Sequence, residues 1–152
     1  MMRVAIVLFG TVLLGATHSD AATIDNDRPG GTADYVRVKT VARDQDDKIV
    51  VTLEIDAGYH INANPATFDY LIPTTLNVTN LPPLRVSYPA PVRFKPKFVD
   101  EALNVYEGTV RITAEFAHGA LSRNPYLFGT VTAQACTDVI CLPPADLPLP
   151  HQ

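Results

Sequence analysis

Cys136 and Cys141, separated by Thr137-Asp138-Val139-Ile140, are the two cysteines of the chain and its most reactive pair of side chains. Four intervening residues make a hairpin-sized loop, so both Cα atoms can face each other across neighbouring strands. A disulfide needs those atoms roughly 4.4–6.8 Å apart, and facing strand positions supply about that distance. As a staple such a bond is weak. Loop-closure entropy for so small a ring gives only about 2 kcal/mol, against nearly 5 for a ring of about 100 residues. Spacing alone leaves a structural bridge and a redox centre evenly balanced. No Lys, Arg or His lies between Thr130 and Pro150, and Asp138 disfavours a thiolate. Such a pair is suited to being attacked by a partner thiolate rather than to attacking first.

A disulfide also needs an oxidising compartment, and the start of the chain reads as an export signal. Arg3 supplies a positive charge, Val4 to Gly15 is apolar except at Gly10 and Thr11, and Ser19-Asp20-Ala21 offers a small-x-small cleavage pattern. Residues 1–21 are therefore expected to be a cleavable signal peptide, the apolar run being shorter than the roughly 20 residues of a membrane span. Residues 22–34, containing Asp, Gly and Pro, read as a flexible lead-in, and 35–152 as one domain with a real core. The expected location is the periplasm. Net charge is −4, which gives no electrostatic footprint for nucleic acid. The basic cluster Arg93, Lys95 and Lys97 is followed at once by Asp100 and Glu101 and reads as a solvated loop face.

The elements that must hold the pair show a period of two. Val36 and Val38 alternate with Arg37 and Lys39. Ile49, Val51, Leu53 and Ile55 alternate with Val50, Thr52 and Glu54, and Val110, Ile112, Ala114 and Phe116 with Arg111, Thr113 and Glu115. These are half-buried strands. Tyr126 to Cys136 reads as another strand, with shorter candidates at Leu76–Val78 and Leu84–Tyr88. The helical period is absent after the signal, and 13 prolines spread from Pro29 to Pro150 suit turns and strand edges. The pattern predicts an all-β sandwich. The Pro-rich tail from Pro143 to Pro150 is expected to run extended along an edge or into solvent.

Gln134-Ala135-Cys136-Thr137-Asp138-Val139-Ile140-Cys141-Leu142-Pro143-Pro144 resembles the C-terminal signature of the N-terminal periplasmic domain of the thiol:disulfide interchange protein DsbD. Gly58-Tyr59-His60-Ile61-Asn62-Ala63-Asn64-Pro65, Leu71-Ile72-Pro73-Thr74, Tyr88-Pro89 and Val105-Tyr106-Glu107-Gly108 are similar to that family in the same order. The resemblance runs from Tyr35 to Pro148. It implies an immunoglobulin-like β-sandwich with the cysteines at one end and a thiol-disulfide oxidoreductase activity that needs no cofactor. Its implied partners are thioredoxin-like periplasmic proteins and a membrane electron-transfer protein, with disulfide isomerases and cytochrome c biogenesis thioredoxins as clients. A monomer ending at Gln152 is expected to take its electrons from another polypeptide.

The same resemblance implies roles around Cys136 and Cys141. His60 would lie beside the sulfurs, where it could hydrogen-bond one of them or stabilise a thiolate. Arg93 to Asn104 takes the position of a cap loop that shields the disulfide, with Phe98 as the covering aromatic and Phe94 in reserve. Tyr106 would anchor the end of that loop, while Asn62 and Asn64 are the types that satisfy backbone groups in turns. By analogy, Cys141 is the sulfur expected to bond partners. The competing class is a non-enzymatic immunoglobulin-like binding or assembly module with a structural disulfide. A Cu(I) carrier using both cysteines and His60 is disfavoured, since Met1 and Met2 are the chain's methionines and an oxidised pair binds no metal. A hydrolase is disfavoured too, because no Ser/His/Asp set stands near a glycine elbow.

Overall fold

The computed structural model describes residues 30–44, 47–97 and 100–150. The expected export signal, the lead-in up to residue 29, and Phe98 lie outside these residues. The described strands are β1 (Val36–Asp44), β2 (Lys48–Ile55), β3 (His60–Asn62), β4 (Thr75–Val78), β5 (Arg85–Ser87) and β6 (Val92–Phe94). They continue as β7 (Leu103–Tyr106), β8 (Thr109–Glu115), β9 (Gly129–Ala133), β10 (Ala135–Cys136) and β11 (Ala145–Pro148). Among the described residues helix is confined to two single turns, α1 (Thr32–Tyr35) and α2 (Ala120–Arg123). The all-β expectation holds, and the architecture is immunoglobulin-like.

Three antiparallel sheets carry the strands in the orders β1-β2-β8-β5, β10-β3-β7-β6 and β11-β9-β4. The alternation read from the sequence sets the inner face. Ile49, Val51, Leu53 and Ile55 are buried on β2, and Val110, Ile112 and Ala114 on β8, with Val51 directly opposite Ile112. Leu76, Val78, Val131, Ala133 and Leu147 complete the same core from the third sheet. Each such Leu, Ile or Val contributes about 1.5–3 kcal/mol by leaving water, so the sandwich rests on these strands rather than on the disulfide.

Two expectations change near the cysteines. The strand expected over Tyr126–Cys136 is divided: β9 begins at Gly129, and Gln134 separates it from β10. Tyr126 and Phe128 stay outside the ladder because Asn80 occupies their backbone groups. Its side-chain N–H donates to the Tyr126 carbonyl at 2.9 Å and its Oδ1 accepts from the Phe128 N–H at 2.8 Å. Gly129 is required where β9 meets β4, since a Cβ there would collide with the Asn77 carbonyl. At the break the chain passes from the sheet of β9 to the sheet of β3. The Pro-rich tail follows an edge as β11, pairing with β9 from Ala145↔Ala133 to Pro148↔Thr130.

Candidate redox site

Cys136 closes the two-residue strand β10 and is bonded to Cys141 in an isolated antiparallel bridge, with Cα atoms 3.9 Å apart, closer than the separation expected from the sequence. Thr137 shapes the loop between them. Its N–H donates to the Ile140 carbonyl at 2.8 Å, and its hydroxyl accepts from the Val139 and Ile140 N–H groups at 3.2 Å each. The hairpin places the two sulfurs' residues differently. Cys136 is 1% exposed, whereas Cys141 is exposed, beside the exposed apolar side chains of Val139 and Ile140. Beyond Cys141 the chain returns along β10 through Leu142, whose N–H donates to the Ala135 carbonyl at 2.8 Å. Thr32, at the end of the stretch read as a lead-in, is buried against this return.

The inner side of the pair is built by β3. Gly58, at φ +86°, makes the left-handed turn that delivers the next strand. Its first residue, His60, is the direct register partner of Cys136, and Ile61 of Ala135. His60 is 2% exposed, and its Nε2 has no hydrogen-bond partner. Burial holds the imidazole below its ordinary value, so it is neutral at pH 7. The Phe94 ring lies against it, with centroids 4.1 Å apart. His60 and Phe94 line an open cleft of about 700 Å³ with Asp56, Tyr59, Glu107 and Asp138.

Residues of the predicted cap loop reach this end of the sandwich. Lys97 donates its backbone N–H to the Asp138 carbonyl at 3.0 Å, and its ammonium meets the Asp138 carboxylate at 2.7 Å. The hydrogen bond from Lys97, with its charge, holds the Asp138 carboxyl below its ordinary value. Arg93, Lys95 and Lys97 are all exposed, as a solvated face requires, while Lys97 also pairs across to the cysteine loop and Arg93 hydrogen-bonds the Asn104 side chain at 3.1 Å.

The structure therefore brings Cys136, Cys141 and His60 together, with Phe94 behind the histidine. It assigns Asn62 and Tyr106 to backbone contacts. Asn62 Nδ2 donates to the Ile72 carbonyl at 3.1 Å, and the Tyr106 hydroxyl accepts from the Asn64 N–H at 3.1 Å. Asn62 lies within a strand rather than a turn, and burial pushes the Tyr106 phenol up. Sequence reading missed Thr32, and it placed Lys97 in the cap loop without its partner Asp138. Among the described residues no three His, Cys, Asp or Glu side chains group as a metal site, and no helix is long and apolar enough to cross a membrane.

The sequence pattern of the family described as "Thiol:disulfide interchange protein DsbD, N-terminal" matches residues 32–147. No curated protein matches the chain in sequence. The fold is similar to the reduced DsbD N-terminal domain of Neisseria meningitidis at a TM-score of 0.53 and 19% identity, covering 76% of this chain and 82% of that one. It is similar to the N-terminal periplasmic domain of ScsB from Proteus mirabilis at 0.53 and 18%, covering 76% of this chain and 46% of that one. A third likeness, at 0.54 and 19%, is to a complex between the DsbD and PilB N-terminal domains from Neisseria meningitidis, covering 82% of this chain and 87% of that one.

Proposed function

The chain belongs to the family of N-terminal domains of the thiol:disulfide interchange protein DsbD, and on that premise we propose that it exchanges disulfides through Cys136 and Cys141 in the periplasm. It takes reducing equivalents from a thioredoxin-like protein or a membrane electron-transfer protein and passes them to periplasmic disulfide partners. The observation that carries this reading is the unequal exposure of the bonded cysteines, Cys141 open and Cys136 1% exposed. A staple has no use for such a difference. A transfer centre does, because an incoming thiolate must reach one sulfur along the S–S axis while the other leaves.

In the first half-reaction a donor thiolate attacks Cys141 Sγ, the Cys136–Cys141 bond breaks, and Cys136 leaves with the electron pair. The donor's second thiolate then attacks its own sulfur in the mixed disulfide. This releases the Cys141 thiolate, and proton uptake from water completes the dithiol. In the second half-reaction the Cys141 thiolate attacks an oxidised client, and Cys136 resolves the mixed disulfide. The loop following β6 is the proposed cap, with Phe98 as the covering aromatic. The Phe94–His60 contact and the Lys97–Asp138 pair support a loop held against this end of the domain. His60, Asn62 and Tyr106 support the pair, the last two by fixing the backbone after β3.

Trapping tests the proposal. Cys136→Ser, produced with its export signal, leaves Cys141 without a resolving partner and should accumulate mixed disulfides with thioredoxin-fold proteins on non-reducing gels. Cys141→Ser should trap far less. If neither variant holds a partner and the double variant loses only stability, the bond is structural and the competing reading of a binding module takes its place.

A further inference from the structure

Reduction of the disulfide creates a hydrogen-bond donor on a face where the oxidised protein keeps a buried ring nitrogen without a partner. Cys136 and His60 are direct partners in the β3–β10 register. Opposed residues of an antiparallel pair project to one face, with Cβ atoms about 4.5–5.5 Å apart. Both residues are buried, at 1% and 2% exposure, and His60 Nε2 has no partner. Buried polar atoms without partners are few in folded proteins and call for an explanation. In the disulfide Cys136 Sγ bears no proton. In the dithiol it bears an S–H on the face that His60 shares.

We propose that His60 Nε2 is the proton acceptor for Cys136 in the dithiol protein and so generates the buried resolving thiolate. This rests on the exchange reading above and adds one residue's chemistry to it. With a client bonded to Cys141, the Cys136 proton passes to His60 Nε2 and the Cys136 sulfur attacks Cys141 Sγ. The Cys136–Cys141 bond forms, the bond from Cys141 to the client sulfur breaks, and the client sulfur leaves with the electron pair. The imidazolium returns its proton to that thiolate or to water. The two cysteines lose two electrons, and the client disulfide gains them.

The surroundings suit a neutral base. Cys136 faces His60 from β10. Glu107 and Asp138 line its cleft from the turn after β7 and from the cysteine loop, and Asp56 and Tyr59 from its own side, while Phe94 covers the ring. Lys97 is held by Asp138, and Asp56 is held by Arg37. Burial keeps the imidazole unprotonated and ready to accept.

The test uses the full mature protein, reduced, with the aromatic disulfide dithiobis-nitrobenzoate as probe. Attack by Cys141 releases one thionitrobenzoate, and attack by Cys136 on the mixed disulfide releases the second. His60→Phe should slow the second release about ten- to thirtyfold at pH 7, the factor set by the small thiolate fraction of an ordinary thiol of pKa near 8.5. Its rate should then rise with pH as that thiol ionises. His60→Gln keeps a polar side chain that takes no proton at this pH; it should be slow as well, and it carries the test if the Phe variant does not fold. Nitrogen NMR of the wild type should show the Nε2 resonance moving between disulfide and dithiol. Second release within about twofold of wild type in the folded variants, or an Nε2 resonance indifferent to reduction, overturns the assignment. If the wild type itself never releases the second equivalent, the exchange reading fails and takes this with it. A wild type that exchanges while the variants match it removes His60 alone.

Discussion

The hydroxyl of Thr32 accepts the Ala135 N–H at 2.9 Å and donates to the Pro143 carbonyl at 2.7 Å, so one side chain clasps both segments that flank the cysteines. Thr32 is 0% exposed, which excludes water as a substitute partner. Thr32→Val keeps the shape and removes both bonds. It leaves a buried N–H and a carbonyl wanting, at about 1–3 kcal/mol. Urea unfolding should show that loss, and hydrogen exchange at Ala135 should quicken. An unchanged Ala135 exchange rate would sink the clasp.

The Lys97–Asp138 pair should govern how readily small thiols reach the disulfide. Asp138→Asn removes the charge while leaving the Lys97 N–H to Asp138 carbonyl bond available. Reduction by dithiothreitol is expected to speed up a few-fold, and high salt should speed up the wild type but not the variant, since exposed ion pairs are screened. The carboxyl lies below its ordinary value, so the pair is intact at neutral pH and is lost as pH falls through the folded value. Equal reduction rates at low and high salt in the wild type would remove the pair from any control of access.

Acid sensitivity should reside in part at Asp47. Its carboxylate accepts the Gly119 N–H at 2.6 Å and the Leu121 N–H at 3.2 Å at the start of α2. The bond from Gly119, then that from Leu121, hold the carboxyl below 3.8. A depressed folded value means stabilisation that is complete above the unfolded value and lost as pH falls through the folded one. Asp47→Asn tolerates the residue's left-handed backbone, φ 54°, and keeps one acceptor. The variant should melt lower than wild type at pH 7, with the gap closing below about pH 4. A constant gap across that range contradicts the assignment.

Removing the disulfide altogether should be mild. Cys136→Ala with Cys141→Ala opens a short ring, and chain entropy predicts a loss of about 2 kcal/mol with the fold retained. A loss well above about 5 kcal/mol, or an unfolded product, would mark the bond as structural.

How far these features were legible depends on which face each residue serves. β2 and β8 were readable because one face of each is core and the other water, so Ile49 to Ile55 and Val110 to Phe116 carry the alternation in their side-chain types. β3 was not, since His60, Ile61 and Asn62 are all buried and no alternation survives. β6 and β7 were hidden in the predicted loop over 93–104, being too short for a period to register. Cys136, Cys141 and His60 could be singled out from residue types and resemblance, and they do meet. The role of Thr32 and the pairing of Lys97 with Asp138 could not, because those partners lie far along the chain and are chosen by the fold.

The unequal exposure of the two cysteines carries a kinetic consequence for the proposed exchange. A site with one accessible sulfur has a single port. Donor and client cannot occupy it together, so they must alternate, each leaving before the other arrives. Turnover on this scheme follows a double-displacement rate law, and an excess of either oxidised client or reduced donor bound unproductively at Cys141 slows the other. Under the proposed exchange, traffic through the domain would be set by the relative abundance of its partners, a turnstile rather than a wire.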